Sequence, residues 1–536
     1  MYKDLRDYLD DLQKNDKLVT VDRPIKKDTE LAPLVRLQFR GLPEEMRKGF
    51  LFQDVRDAKG RKMEMKTATG VYASSMQMYA FGIQCEPTNE AIQKKWTEAL
   101  LHPIKPKLVS NGPVQNVVIT KSEIEKGAKG LEALPIPVEL PGYSGTIRTT
   151  TEIITKDPAS NWKNMGVYSA HIVGRAKAQW EINRGNQGWV HYLTAKERGE
   201  DLEVAVIIGG PPLLFAVGAA KIPSGVDELA VAGGFSGDAM EVVKCKTNNL
   251  EVPAHAEIVI EGVVSPKLPM EPGNSFGEYN GFMALDVWPR PVIDVKAITY
   301  RKDPIFVHIM SQMPPSESST VRQIGSANVY LKFLKYDCKI PGIIDVAWHE
   351  LSQAQWCVIR MKKTNNTHPW QALHLAAGYD TRWGKFFIAV DEDIDPRDID
   401  SVIWALSWRV QPKRDMEIIG GRIPGLDLSA YKFDDPYEQK VMPNVTGSSA
   451  VLIDATIKWP YTPVSLPKKE YMDRALVIWK ELGLPKLQLK QPWYGYSLGN
   501  WPDWAEKDAQ NIINGDFEAV GRRLAERAKA ENKAKN

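Results

Sequence analysis

The sequence predicts a mixed α/β protein of several domains with a barrel-like antiparallel middle, and three features carry that expectation. Up to about residue 130 strands and helices alternate, opening on a helix whose apolar positions Leu5, Tyr8, Leu9 and Leu12 recur at spacings of three and four. From residue 149 to about 310 the pattern changes to short strands, at 152–155, 167–173, 204–208, 256–260, 292–300 and 305–310. They are separated by turns such as Lys156-Asp157-Pro158, Gly209-Gly210-Pro211-Pro212 and Arg301-Lys302-Asp303-Pro304, with a helical insertion around 227–240. Turn signals at such intervals suggest a barrel-like sheet. Beyond residue 316 strands at 356–361 and 385–390 alternate with helices at 369–377 and 396–408, the pattern of a βαβ sheet.

The proline-rich stretch 134–142 cannot be helix interior and reads as a domain boundary. The expected organisation is an N-terminal α/β domain (1–130), the barrel (131–315), a C-terminal α/β domain (316–465) and a helical tail (466–536). Amphipathic helices at 468–482 and 517–530 of the tail lie beyond the last sheet, so a homo-oligomer, a dimer or a hexamer, is expected. The glycine turn at 70–76 lacks the lysine-bearing spacing of a phosphate loop and reads as an ordinary turn.

A net charge of +2, from 69 basic and 67 acidic residues, gives no global basic field, so neither nucleic acid nor an anionic membrane is the expected partner. Cys85, Cys245, Cys338 and Cys357 show no CxxC spacing, which argues against a disulfide framework or a thiolate zinc site and fits a reducing cytosol. No apolar leader core and no run of about 18 apolar residues occurs, so the expected location is cytoplasmic.

Two carboxylates stand out. Glu257 opens an alternating strand, and Glu278 sits in a loop between Gly277 and Gly281, where backbone can approach a ligand closely and a carboxyl can serve as proton donor or acceptor. A second cluster runs from Asn164, Gly166 and Tyr168 to Gln179, Trp180, Glu181, Asn183, Arg184 and Gly185. Amide and carboxylate oxygens suit magnesium or manganese bridging a phosphate, and Arg184 beside a glycine could hold that phosphate directly. The same pieces also read as a plain turn and a loop pair. His171, His255 and His308 read as structural, and Asp391-Glu392-Asp393 as a helix cap.

The ordered set Asn164-x-Gly166-x-Tyr168, Trp180, Arg184-Gly185, the run from Glu241 to Gly262, Phe276-Gly277-Glu278, Asp391-Glu392-Asp393, Pro412-Lys413-Arg414-Asp415 and the run from Asp454 to Pro460 resembles the UbiD family of decarboxylases. The resemblance implies a reversible, non-oxidative decarboxylase of an aromatic carboxylic acid that uses prenylated FMN delivered by a flavin prenyltransferase. It implies a central split-barrel flavin-binding domain flanked by N-terminal and C-terminal α/β domains. It also implies a divalent metal (Mn2+, with Fe2+ or Mg2+ as alternatives) bridged to the cofactor phosphate, and K+ nearby. By position, Asn164, Asn183 and Glu257 match metal ligands. Val167, Tyr168, Ser169, Gln179, Trp180, Glu181, Arg184 and Gly185 match cofactor-contacting stretches. Glu278 matches the proton donor, and carbonyls around Met165 and 218–221 match the potassium shell.

The chain departs from that pattern at three positions. Many members have a Glu-Arg-Glu network, but its arginine falls on Ser169 and its first glutamate on Gly273, with Glu271 the nearest acid; a metal-holding histidine is replaced by Asn183. Arg148, Arg175 and Arg184 are the arginines that could compensate. The departures suggest either altered substrate handling, such as an aryl-CoA thioester anchored away from the reacting carbon, or an inactive structural paralogue. A plain FMN oxidoreductase is the remaining alternative.

Overall fold

The computed structural model describes every residue except 184, 285–288, 353, 425, 433–434, 436–446, 491–497 and 536. Helix α1 (Leu5–Lys14) begins at Asp4, whose carboxylate accepts the Arg6 and Asp7 N–H groups, and it buries Leu5, Tyr8, Leu9 and Leu12, as their spacing predicts. Strands β1 (Leu18–Val21), β2 (Gly49–Phe52) and β3 (Lys66–Thr69) follow as the start of an N-terminal sheet, with β1 parallel to β2 and β2 antiparallel to β3.

The middle of the chain is a closed six-strand antiparallel barrel, in keeping with the turn-separated strands of the sequence. After the outer strand β4 (Val117–Thr120) come β5 (Arg148–Lys156), β6 (Lys163–Gly174), β7 (Lys177–Glu181), β8 (Leu202–Ile208), β9 (Ile258–Val264) and β10 (Val292–Tyr300). The order is β7-β6-β5-β8-β9-β10, and β7 closes the circle because Gln179 pairs with His171 on β6 and with Val292 on β10. Between β8 and β9 runs helix α2 (Glu228–Ser236), which is apolar apart from its ends.

One strand leaves the barrel. The turn before it, where Asp303 takes φ +52°, sends β11 (Ile305–His308) out to pair in parallel with β3, so it completes the N-terminal sheet rather than the middle one as its place in the sequence suggests. Helix α3 (Glu317–Lys332) then starts against that sheet and runs on to pack along Ile343–Trp348 of the C-terminal sheet. The N–H groups of Gly70, Tyr72 and Met310 all donate to Glu317, at 3.0, 3.1 and 3.0 Å. The glycine turn at 70–76 therefore does cradle an anion, which is the protein's own carboxylate.

The C-terminal sheet contains β12 (Ile343–Trp348), β13 (Trp356–Met361), β14 (Phe386–Asp391), β15 (Met416–Ile419) and β16 (Ala450–Ala455), in the order β12-β13-β14-β16-β15. Helix α4 (His368–Tyr379) is the crossover between the parallel strands β13 and β14, the expected βαβ unit. Asp391 and Asp393 do not cap a helix. They receive the buried guanidinium of Arg409, at the end of α5 (Ile399–Arg409), at 2.6–2.9 Å, and Asp391 also accepts the Ile457 N–H at 2.6 Å. In the tail α6 (Lys469–Glu481) buries no side chain and α7 (Asp503–Ile513), absent from the sequence reading, buries only Ala505. Arg523 on α8 (Phe517–Lys535) is paired with Asp508 of α7. Among the described residues no helix is long and apolar enough to cross a membrane.

Candidate active site

A cavity of about 1130 Å3 lies against the open side of the barrel, walled by β5, β6, the 278–282 loop, the start of α2 and, from the loops around the C-terminal sheet, residues 378–383 and 426–429. It exceeds the usual few hundred to ~1,000 Å3 of a small-molecule site, enough for a cofactor and a substrate together. Asn164, Val167, Tyr168, Ser169, Glu181, Asn183, Gly185 and Glu278 all line it. Arg184 lies outside the described residues.

Glu278 is on the cavity wall. Its loop closes through Glu278 N–H to the Phe282 carbonyl and Gly281 N–H to the Glu278 carbonyl, both 3.0 Å, and Gly281 takes the φ of +96° the turn requires. Burial pushes its carboxyl up to about 7; Glu181 reinforces the rise, while Arg148 and Arg322 oppose it. The group is therefore poised between acid and base near neutral pH.

Around it stand two acid–arginine pairs, the first buried and the second with its acid on the cavity wall. Arg148, heading β5, donates to Glu139 Oε2 from Nε (3.2 Å) and Nη2 (2.8 Å), to the Gly277 carbonyl from Nη2 (2.5 Å) and to Ser169 Oγ from Nη1 (3.2 Å). Its guanidinium lies 4.5 Å from the centroid of the Phe276 ring. Arg148 is thus the arginine that reaches Ser169. Arg290 donates to Glu181, and its guanidinium occupies the space a Cβ on Gly273 would need. A carboxylate at 273 is sterically replaced by an arginine from elsewhere. Glu271 does not line the cavity and is paired with Lys177 at 2.5 Å. His171, between the two pairs, is held well below the usual imidazole range by burial and by Arg148 and Arg290, so it is neutral.

Asn164 is buried, with its Nδ2 3.3 Å from the Tyr168 hydroxyl. Next to it the Met165 N–H donates to Glu228 at 2.9 Å, so that carboxylate, the first residue of α2, shares the cavity wall with Asn164. Burial pushes Glu228 up to about 8. A buried carboxylate stabilised by backbone N–H groups, with no cationic side chain paired to it among the described residues, suits a cation. Among the described residues no three His, Cys, Asp or Glu side chains converge as a metal cluster, so a cation here would draw on amide oxygens as well, a donor set for hard ions such as magnesium or manganese.

Glu257 is not part of this wall and the expectation that it holds the metal is corrected. It is fully buried on another side of the barrel, where Arg6 of α1 grips both its oxygens at 2.9 Å, Ile305 N–H donates at 3.0 Å and Arg301 stands 3.5 Å away. Every position a cation would take is filled by a guanidinium or an N–H. Gln179 and Trp180 also lie behind the cavity lining. Gln179 Nε2 holds the Pro272 carbonyl at 2.9 Å, and buried Trp180 packs edge-on against Tyr168 with 5.8 Å between centroids. At the far end Arg382 is paired with Asp380 at 2.7 Å and with Asn186 Oδ1 at 2.8 Å, and burial pushes the nearby Lys221 amine down to about 7.

The sequence reading missed Glu228, Glu139 and the position of Arg148. Glu228 had a signal: it is a carboxylate opening an otherwise apolar helical stretch, Leu229 to Phe235. Glu139 carried none, since it lies among prolines that read as linker.

A closed antiparallel barrel with a large cavity, a near-neutral carboxyl on its wall and a buried carboxylate beside an amide has the parts of an enzyme site that holds more than one ligand. The comparisons identify the family. Residues 107–314 match the 3-octaprenyl-4-hydroxybenzoate carboxy-lyase Rift-related domain, and residues 324–455 match the C-terminal domain of the same carboxy-lyase. The chain belongs to the UbiD family. It is 31% identical over 511 residues to an uncharacterized protein of Aquifex aeolicus, covering 90% of this chain and 99% of that protein. Among solved structures, an evolved dimeric form of the UbiD-class enzyme HmfF from Pelotomaculum thermopropionicum, in complex with prFMN, is 26% identical with a TM-score of 0.72. That match covers 89% of this chain and 100% of that one. The fold is shared too with the vanillic acid decarboxylase of Sedimentibacter hydroxybenzoicus, at 22% identity and a TM-score of 0.74, over 96% and 99% of the two chains.

Proposed function

We propose that the protein is a reversible decarboxylase of an aromatic carboxylic acid that uses prenylated FMN, with Glu278 as the group that returns a proton to the carbon CO2 leaves. The observation that carries this reading is the Glu278 carboxyl, pushed up to about 7, on the wall of a cavity of about 1130 Å3. The bond from the ring carbon to the carboxylate breaks, CO2 departs, and one proton is taken up in its place. When bound, the modified flavin supplies the electron sink that no ordinary side chain can offer to an aryl carbon. The protein binds and orients the acid, excludes water and delivers the proton.

Asn164, Asn183 and Glu228 are the residues proposed to hold a divalent cation (Mn2+, Fe2+ or Mg2+) against the cofactor phosphate. The carbonyl of Met165, 3.5 Å from where a Cβ on Gly218 would stand, supports a K+ site formed with the carbonyls of 218–221. Val167, Tyr168, Ser169, Glu181 and Gly185, which line the cavity, are the residues proposed to face the cofactor. The cavity's width leaves room for a free acid or an aryl-CoA thioester. The exposed apolar side chains of the tail, among them Leu482, Leu484, Trp501, Trp504, Ile513 and Phe517, support a homo-oligomer.

The test is co-expression with a flavin prenyltransferase followed by a panel of aromatic acids in D2O. Glu278→Gln is expected to keep its cofactor absorbance and to lose CO2 release and deuterium incorporation together. Full activity in that variant, or NADH oxidation by the parent in place of decarboxylation, overturns the reading.

A further inference from the structure

We infer that Arg148 and Ser169 together form the clamp that receives the substrate's carboxylate beside Glu278, with Glu139 as the positioning residue behind it; the inference rests on the decarboxylase reading for the identity of the ligand. Arg148 pairs across β5 and β6 with His171, and Thr150 with Ser169, so Arg148 and Ser169 are diagonal neighbours on one face of the barrel wall. Both line the cavity.

A guanidinium has five N–H groups in a fixed plane. In Arg148, Nε–H goes to Glu139, the two Nη2 hydrogens go to Glu139 and Gly277, and one Nη1 hydrogen goes to Ser169 Oγ. The structure assigns the second Nη1 hydrogen no protein acceptor among the described residues. Ser169 Oγ accepts from Arg148 and has its own proton to give; its other neighbour is Thr150 Oγ1 at 3.4 Å, where either oxygen can donate. One N–H of Arg148 and the O–H of Ser169, on heavy atoms 3.2 Å apart in two residues that line the cavity, are therefore left to serve the two oxygens of a carboxylate.

Glu139 fixes the plane of this fork from behind. Its Oε1 accepts the Ser311 N–H at 2.7 Å, and its backbone carbonyl accepts Gln312 Nε2 at 2.6 Å, so it is pinned from a different segment of the chain. The same Nη2 that meets Glu139 also holds the carbonyl of Gly277, the residue before Glu278. Carboxylate holder and proton donor are thereby fixed relative to each other.

The experiment measures binding of 2-naphthoate and of 2-naphthamide to the FMN-loaded full-length protein by flavin fluorescence. The parent is expected to prefer the carboxylate at least tenfold. Ser169→Ala should cut that preference by about fivefold to tenfold, and Arg148→Met should abolish it, each read as a ratio of affinities on the flavin-loaded fraction. The transposed pair, Arg148→Ser with Ser169→Arg, should recover the preference to within about threefold, because the guanidinium then reaches the same place from the next strand. A preference equal to the parent's in Arg148→Met overturns the clamp. If that variant does not fold, an unchanged preference in Ser169→Ala does so. No preference in the parent also overturns it. Failure of the prenylated-FMN holoenzyme to decarboxylate any aromatic acid, with the carboxylate preference intact, would instead count against the proposed reaction while leaving the clamp standing.

Discussion

Replacing Glu257 separates stability from cofactor chemistry. Glu257→Ala leaves Arg6, the Ile305 N–H and Arg301 facing an emptied, fully buried site. Breaking a buried pair by removing one partner costs about 3–5 kcal/mol. Arg6 is 34% exposed, so water recovers part of its solvation and the lower end, about 3 kcal/mol, applies. At roughly 2–4 °C per kcal/mol for large domains, the first thermal transition should fall by about 6–12 °C. Metal measured by plasma mass spectrometry on folded, cofactor-loaded protein should not change. Glu228→Ala should do the reverse: it should lose the metal, and with it most of the cofactor, while lowering the transition by less. Calorimetry and metal analysis of the two variants side by side check this. Loss of metal in Glu257→Ala at an unchanged melting temperature, with metal retained in Glu228→Ala, would refute both the clamp at Glu257 and the ligand role of Glu228.

Two further outcomes follow from the same geometry. In the proposed reaction Glu278 acts as an acid, so only its neutral form is competent; with its carboxyl at about 7, turnover should be level below that pH and fall about tenfold per unit above it, the fall being the loss of one proton. A stopped assay from pH 5.5 to 9 reads this, and a rate that rises with pH would contradict it. Removing residues 466–536 deletes the helices that bury almost nothing within their own chain; light scattering should then report fewer chains per assembly than the full-length protein forms, and an unchanged number of chains would show that the tail is not the contact.

Local periodicity made much of the fold legible. Helix α1 and the strands of the barrel and of the βαβ unit are written in spacings of two and of three to four, which depend only on neighbours in the chain. What the sequence hid was pairing over distance. Glu257 looked like a ligand because it opens an alternating strand, yet its partner Arg6 lies 251 residues earlier. The strand at Ile305–His308 is as apolar as a barrel strand, but after the turn at Asp303 it pairs with Lys66–Thr69, 239 residues earlier in the chain. Ser169 and Gly273 read as losses because an arginine and a carboxyl were expected at those numbers. The structure fills the first place from β5 and the second with Arg290, and no one-dimensional spacing reports a guanidinium arriving from a neighbouring strand.

That late strand also governs how the protein can be made. The first sheet lacks its outer member until the ribosome has delivered the whole barrel, so a nascent chain stalled or cleaved near residue 130 exposes the open backbone edge of Lys66–Thr69. Expression of the opening segment alone should therefore give sticky, poorly folded material, and a fragment intended to stand by itself must carry the stretch through His308.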